Sequence, residues 1–147
     1  MKKGNYSYFS SDLSGDFLSD ISYDIKHIGS VSECFDLIIC YHILEHIDYD
    51  IMAMKELWRV LKKNRYCLIQ TPFKDGDIFE DDTIKTPEER KHFFGQSDHV
   101  RIYSINGLKN RLKNVGFKVE IRNFTEKFDN FYGFSENETV LICHKPK

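Results

Sequence analysis

Side chains able to do chemistry fall into three short clusters. The densest holds Gln96, Asp98, His99 and Arg101. A histidine near an aspartate can act there as a general base toward a hydroxyl or amine, and the same residues also suit a loop staple. The second cluster, Cys40, Tyr41 and His42, directly follows an apolar run and leads into Glu45 and His46. In open parallel sheets the carboxyl ends of strands face the ligand crevice, although Tyr41 serves equally well as a core or rim aromatic. The third comprises two isolated acids. Asp12 closes the extended aromatic run YSYFSS at what reads as a strand end, where turn and cap aspartates are common. Asp24 lies in a Y-D-I run and reads equally as an ordinary exposed acid.

The elements that must position these residues show in the periodicity. Residues 35–40 (FDLIIC) form a compact apolar run and predict a buried strand, apolar on both faces. From Asp48 the pattern turns helical, with Ile51, Met54, Leu57, Trp58 and Leu61 on one face and a basic end at Arg59, Lys62 and Lys63. Asn64 can supply a left-handed stop before a second strand over residues 66–70 (YCLIQ). Strand, helix and strand make a βαβ unit, so the two strands should lie adjacent and parallel. Ile105, Leu108, Leu112 and Val115 mark a further helix stopped by Gly116, ahead of strands at 117–121 and 139–144 joined by a hairpin loop over 125–138. Shorter strands are expected at 6–11 and 23–25, with a turn at Gly29 and Ser30, and residues 74–99 read as one long charged loop. Glu56 and Arg59, three apart, can pair on the helix surface, and Phe93 and Phe94 read as core.

Composition narrows the function classes. A chain of 147 residues suits one domain. Its 21 basic and 23 acidic residues nearly cancel and form no basic block, so nucleic acid is not an expected partner. A hydrophobic content of 41% with 12 Phe and 8 Tyr calls for a packed core. Apolar runs are too short to cross a bilayer, and the opening MKKGNYSYFSSD carries no apolar signal region, so a cytoplasmic protein without a membrane partner is expected. Cys34, Cys40, Cys67 and Cys143 show no C-x-x-C spacing and read as reduced, mostly buried thiols.

The run FDLIICYHILEHIDYDIMAMKELWRVLKKNRYCLIQTPF, residues 35–73, resembles the part of class I S-adenosylmethionine-dependent methyltransferases of type 11 that follows the cofactor loop. Residues 80–90 and 94–103 are similar to a narrower bacterial and archaeal branch of that family. The resemblance implies a single methyltransferase-like α/β domain over 1–147, with a Rossmann-like, mostly parallel sheet ending in an antiparallel hairpin. It implies S-adenosylmethionine as cofactor and a small-molecule or sugar-like acceptor. It places Asp12 on the ribose, Asp24 on the adenine amino group with the Ile25 amide beside the ring, and Cys40, Tyr41 and His42 along the cofactor pocket. His99 and His46 become the candidates for acceptor chemistry, although the family's L-E-H often serves only to orient the following helix. A small-RNA methyltransferase branch uses a similar E-H pair as metal ligands, but the further ligands have no match by sequence, and no metal is expected.

The departures concern the amino-terminal side. The family's first strand and its G-x-G-x-G loop are absent from the 147 residues, which predicts an N-terminally incomplete, truncated domain with weakened or lost cofactor binding. The corresponding alternative is an inactive remnant serving as a binding or assembly module. The strand at 35–40 then needs a new neighbour, either residues 6–11 of the same chain, the preferred expectation, or a strand from a second chain. Lys63, Asn64 and Arg65 replace the family's P-G-G turn.

Overall fold

The structure is a computed structural model and describes residues 7–13, 18–124 and 137–147. Strand β1 (Phe35–Tyr41), helix α1 (Asp50–Val60) and strand β2 (Leu61–Gln70) form the expected unit. The strands run parallel, with Leu37 opposite Tyr66 and Tyr41 opposite Gln70. The helix stops at Val60 because Leu61 is already extended, which moves Lys62 and Lys63 into the strand. The register jumps between Phe35–Leu61 and Leu37–Tyr66, and Asn64 takes the left-handed conformation foreseen for it, at φ 58°. Asp36 sits opposite this bulge and accepts from Lys62 at 2.7 Å and Arg65 at 2.9 Å.

Two further short strands, β3 (Phe79–Glu80) and β4 (Arg101–Ile102), pair antiparallel as a separate ribbon, with helix α2 (Pro87–Phe94) between them. The stretch expected to be one long loop therefore carries structure. Helix α2 is set by a Thr86–Glu89 capping box, Pro87 in its first turn and Gly95 in the left-handed region after its last. Helix α3 (Ile105–Val115), capped by Ser104 and stopped by Gly116, leads to β5 (Lys118–Phe124), and β6 (Glu138–Lys145) closes the sheet. The sheet order is β1-β2-β6-β5, with β6 antiparallel to both neighbours. This is a Rossmann-like α/β arrangement with the foreseen antiparallel hairpin; the connection at 125–136 lies outside the described residues.

Helices α1 and α3 cover one face of the sheet. Cys40, Cys67, Ile69, Leu141 and Cys143 point into that layer and meet Ala53, Met54, Leu57, Leu108 and Leu112. The opposite face corrects the expectation of a strand buried on both sides. Leu37 and Ile39 are 53% and 59% exposed, and Tyr41 and Tyr66 are exposed beside them. Nor do the described residues 7–11 pair with β1. Tyr6 lies outside the described residues, and the following ones contribute a lone parallel bridge from Ser11 to Ile21. Among the described residues β1 is an edge strand. The expected strand at 23–25 is instead part of a tight turn in which the Lys26 amide donates to Asp24 Oδ1 at 2.8 Å and the His27 amide to the Asp24 carbonyl at 2.8 Å.

Glu56 and Arg59 pair at 2.8 Å as expected and do more than decorate the helix. Arg59 donates to the carbonyls of Ile28 and Ser30 while Glu56 accepts from the Ile28 amide, so the pair clamps the segment ahead of β1 onto α1. All four cysteines are free thiols, three of them buried. Among the described residues no helix is long and apolar enough to cross a membrane.

Candidate functional site

The chain leaves the sheet at the carboxyl end of β1 through His42, whose amide still donates to the Gln70 carbonyl at 2.9 Å while its φ of 52° turns the backbone away. A non-glycine residue in this region is uncommon and marks ligand-facing turns often enough to direct attention there. A short 3-10 turn, Leu44–His46, follows, and Leu44 and Glu45 are both buried.

Segment 98–101 runs alongside and fixes this turn. The Val100 amide donates to the Glu45 carbonyl at 2.9 Å. The Arg101 guanidinium, itself buried, donates to the carbonyls of Leu44 at 3.2 Å, Ile47 and Asp48 at 2.8 Å, and reaches Glu80 at 3.0 Å. Carbonyls left over at a helical turn's end need donors, and Arg101 supplies a planar fork of them.

This docking brings the two histidines together. The rings of His46 and His99 meet edge to face at a centroid distance of 4.6 Å. His46 Nδ1 lies 3.1 Å from Asp98 Oδ2, and His99 Nδ1 lies 3.3 Å from the Phe94 carbonyl at the end of α2. A carbonyl oxygen can only accept, so the His99 contact calls for a hydrogen on its Nδ1. Glu45, 1% exposed and with neither carboxylate oxygen hydrogen-bonded, brings a carboxylate oxygen within 4.8 Å of a ring nitrogen of each histidine of the pair. His42 Nδ1 approaches its Oε1 to 3.4 Å without forming a hydrogen bond.

A second polar centre braces the first. Asp50, buried at the start of α1, accepts from the Tyr103 hydroxyl at 2.6 Å and from Arg111 at 2.5 Å, and Arg111 also holds Glu80. Burial pushes the Tyr103 phenol up, and the Asp50 charge adds to it. These contacts join α1, α3 and the β3–β4 ribbon.

A methyltransferase domain model matches residues 4–120. The chain belongs to this methyltransferase domain family. An uncharacterized protein of Methanocaldococcus jannaschii is 28% identical over 93 residues, covering 60% of the chain and 37% of that protein. Among solved structures, a Thermotoga maritima protein described as an S-adenosylmethionine-dependent methyltransferase, possibly a histamine N-methyltransferase, superposes at a TM-score of 0.60 with 16% identity, over 86% of this chain and 63% of that one. A Haemonchus contortus phosphoethanolamine N-methyltransferase, bound to phosphomonomethylethanolamine and S-adenosylhomocysteine, gives 0.58 and 15% over 84% and 36%. At such identities the likeness shows the fold. The methyltransferase domain thus spans less than two thirds of these three proteins.

Within the methyltransferase domain the foreseen site residues separate. His42, Glu45, His46, Asp98 and His99 converge, whereas Gln96 is exposed on the segment after α2. Tyr41 presents its ring on the open face, and burial raises its phenol somewhat. The Cys40 side chain lies in the core and not along a cofactor pocket, and burial foremost and then the Glu45 charge push its thiol up to about 12. Asp24 closes its own turn, Ile25 packs on the core, and the Asp12 amide donates to the Ile21 carbonyl at 3.3 Å. Arg101 was read only as a member of the loop cluster, and its grip on residues 44–48 had no local signal.

Proposed function

We propose that this methyltransferase domain takes part in methyl transfer from S-adenosylmethionine to a small-molecule or sugar-like acceptor, with Tyr41 and His42 on the cofactor side and the Glu45, His46 and His99 cluster on the acceptor side. The observation that carries the reading is the juxtaposition, at the carboxyl end of β1, of a left-handed turn at His42 with the imidazoles of His46 and His99, whose rings meet at 4.6 Å and whose Nδ1 atoms face Asp98 and the Phe94 carbonyl. Bound S-adenosylmethionine supplies an electrophilic methyl group. What the chain adds is position and proton handling: His46, the more exposed of the pair, can take a proton at Nε2 from an acceptor hydroxyl or amine while Asp98 steadies the resulting imidazolium. Asp12 and the Asp24–Ile25 turn stand on the segment the resemblance assigns to ribose and adenine.

Calorimetric titration with S-adenosylhomocysteine tests the cofactor half. A dissociation constant of about 10 μM or tighter, near 7 kcal/mol, is what a working cofactor site gives, and an affinity weaker than millimolar removes the proposal for this chain. The bare apolar face of Leu37, Ile39, Tyr41 and Tyr66 favours a second reading, a binding or assembly module that no longer transfers methyl groups. Absence of cofactor binding together with a stable complex through that face would decide for it.

A further inference from the structure

We infer that Glu45, His46 and His99 form a binding site for one divalent transition-metal cation of the zinc class. Each offers a ligand atom within 4.8 Å of the others. Two features beyond proximity point to a cation. The Glu45 carboxylate is 1% exposed and has no hydrogen bond at either oxygen. A buried carboxylate is retained where a proton or a cation compensates it, and neither His46, His99 nor His42, whose Nδ1 stands 3.4 Å away, forms a hydrogen bond to it. Both histidines also have partners of the kind that orient metal-ligating imidazoles, Asp98 Oδ2 at 3.1 Å from His46 Nδ1 and the Phe94 carbonyl at 3.3 Å from His99 Nδ1, with the second nitrogen of each ring left without a hydrogen-bond partner among the described residues.

Two imidazoles and one carboxylate suit zinc and its first-row neighbours, and three protein ligands leave a coordination position open. Ligands around a tetrahedral zinc at about 2.0–2.1 Å stand roughly 3.3 Å apart, so the cluster closes by at most about 1.5 Å on loading. His46, with a side chain 29% exposed, lies on the solvent side of the site and can make that movement. Sequence spacing gave no hint of the third ligand, because His99 lies far from Glu45 along the chain and arrives only through the Val100–Glu45 backbone hydrogen bond and the Arg101 clamp. The site deepens the acceptor-side reading above and rests on it for its use: a cation there would polarise the acceptor heteroatom in place of a bare imidazole.

The test is titration of the untagged chain with zinc chloride and, in parallel, cobalt chloride, with no cofactor or acceptor present, so that metal binding and methyl transfer fail or succeed separately. The expected result is one cation per chain at micromolar affinity or tighter, with intense visible cobalt bands of a four-coordinate site. Glu45→Gln and His46→Gln, each checked for folding by circular dichroism, should weaken binding at least a hundredfold, and Asp98→Asn about tenfold through the orientation of the His46 ring. Because His46 is partly exposed, its variant keeps the test decisive if the Glu45 variant does not fold. Absence of saturable binding at 100 μM cation, or unchanged affinity in His46→Gln, would overturn the inference.

Discussion

The Arg101 guanidinium donates to the carbonyl of Asp48 at 2.8 Å across 53 positions of sequence, and through Leu44 and Ile47 it holds the whole turn that carries Glu45 and His46. The contact is side chain to backbone, so it survives any change in the turn's own side chains. It makes the geometry of the histidine pair depend on a residue that touches neither ring.

Arg101→Lys should therefore cost far more than a conservative exchange on the surface. Lysine keeps the charge but cannot present the fork that meets three carbonyls and Glu80 together. Leaving buried acceptors without donors costs about 1–3 kcal/mol for each group, and partial rescue by the ammonium brings the expected loss to about 3 kcal/mol. Urea unfolding monitored by tryptophan fluorescence reads it directly, since Trp58 is the one tryptophan in the sequence.

The legible parts of the fold were those with local signals. The βαβ unit followed from the apolar runs at 35–40 and 66–70 and from helical spacing between them, and the stop at Gly116 from its place after Val115. Helix α2 carried its signals too, T-P-E-E at one end and glycine at the other, but its apolar content is low and the amphipathic pattern that would draw attention is weak. The open face of β1 was illegible for a different reason. Leu37, Ile38, Ile39 and Cys40 are apolar in succession, and no local pattern tells which of two apolar faces lacks a covering layer. The site was half visible: His46 and His99 stood out by type, whereas their contact is made by the tertiary docking of segment 98–101.

Gly107→Ala should destabilise the protein although it replaces glycine within helix α3. Alanine gains up to about 1 kcal/mol in helix propensity. A Cβ at Gly107 would, however, lie 2.4 Å from Ile78 Cγ1 and 2.8 Å from the Ser104 Oγ that caps the helix. Overpacking costs about 1–3 kcal/mol, so a net loss of about 1–2 kcal/mol is expected. A melting temperature that rises in the variant would show that Ile78 gives way freely.

Acid should weaken the brace between α1, α3 and the β3–β4 ribbon. Burial works to raise the Glu80 carboxyl, but hydrogen bonds from Arg111 and Arg101 outweigh it and hold the group below its ordinary 4.5. A carboxylate depressed in the folded state stabilises above its unfolded value, and that contribution disappears as pH falls through the folded one. Melting temperatures between pH 7 and pH 3 should thus fall more steeply below about 4.5 in the wild type than in Glu80→Gln. Parallel curves would mean that Glu80 is ionised equally in both states.

The contrast between the two faces of the sheet gives the most direct check on the fold. Ile39 and Ile69 are the same residue type on adjacent strands, one 59% exposed on the open face and the other fully buried under the helices. Replacing a buried isoleucine by alanine removes transfer energy and leaves a cavity, at about 2–5 kcal/mol. On the open face no cavity forms and half the side chain already meets water, so Ile39→Ala should cost under about 1 kcal/mol. Ile69→Ala at about 3 kcal/mol with Ile39→Ala below 1 supports a bare face in the free chain. Equal large losses, measured at protein concentrations a hundredfold apart, would show that something covers Ile39 in solution. A concentration dependence would then identify the cover as a second copy, and its absence would identify it as a segment of the same chain.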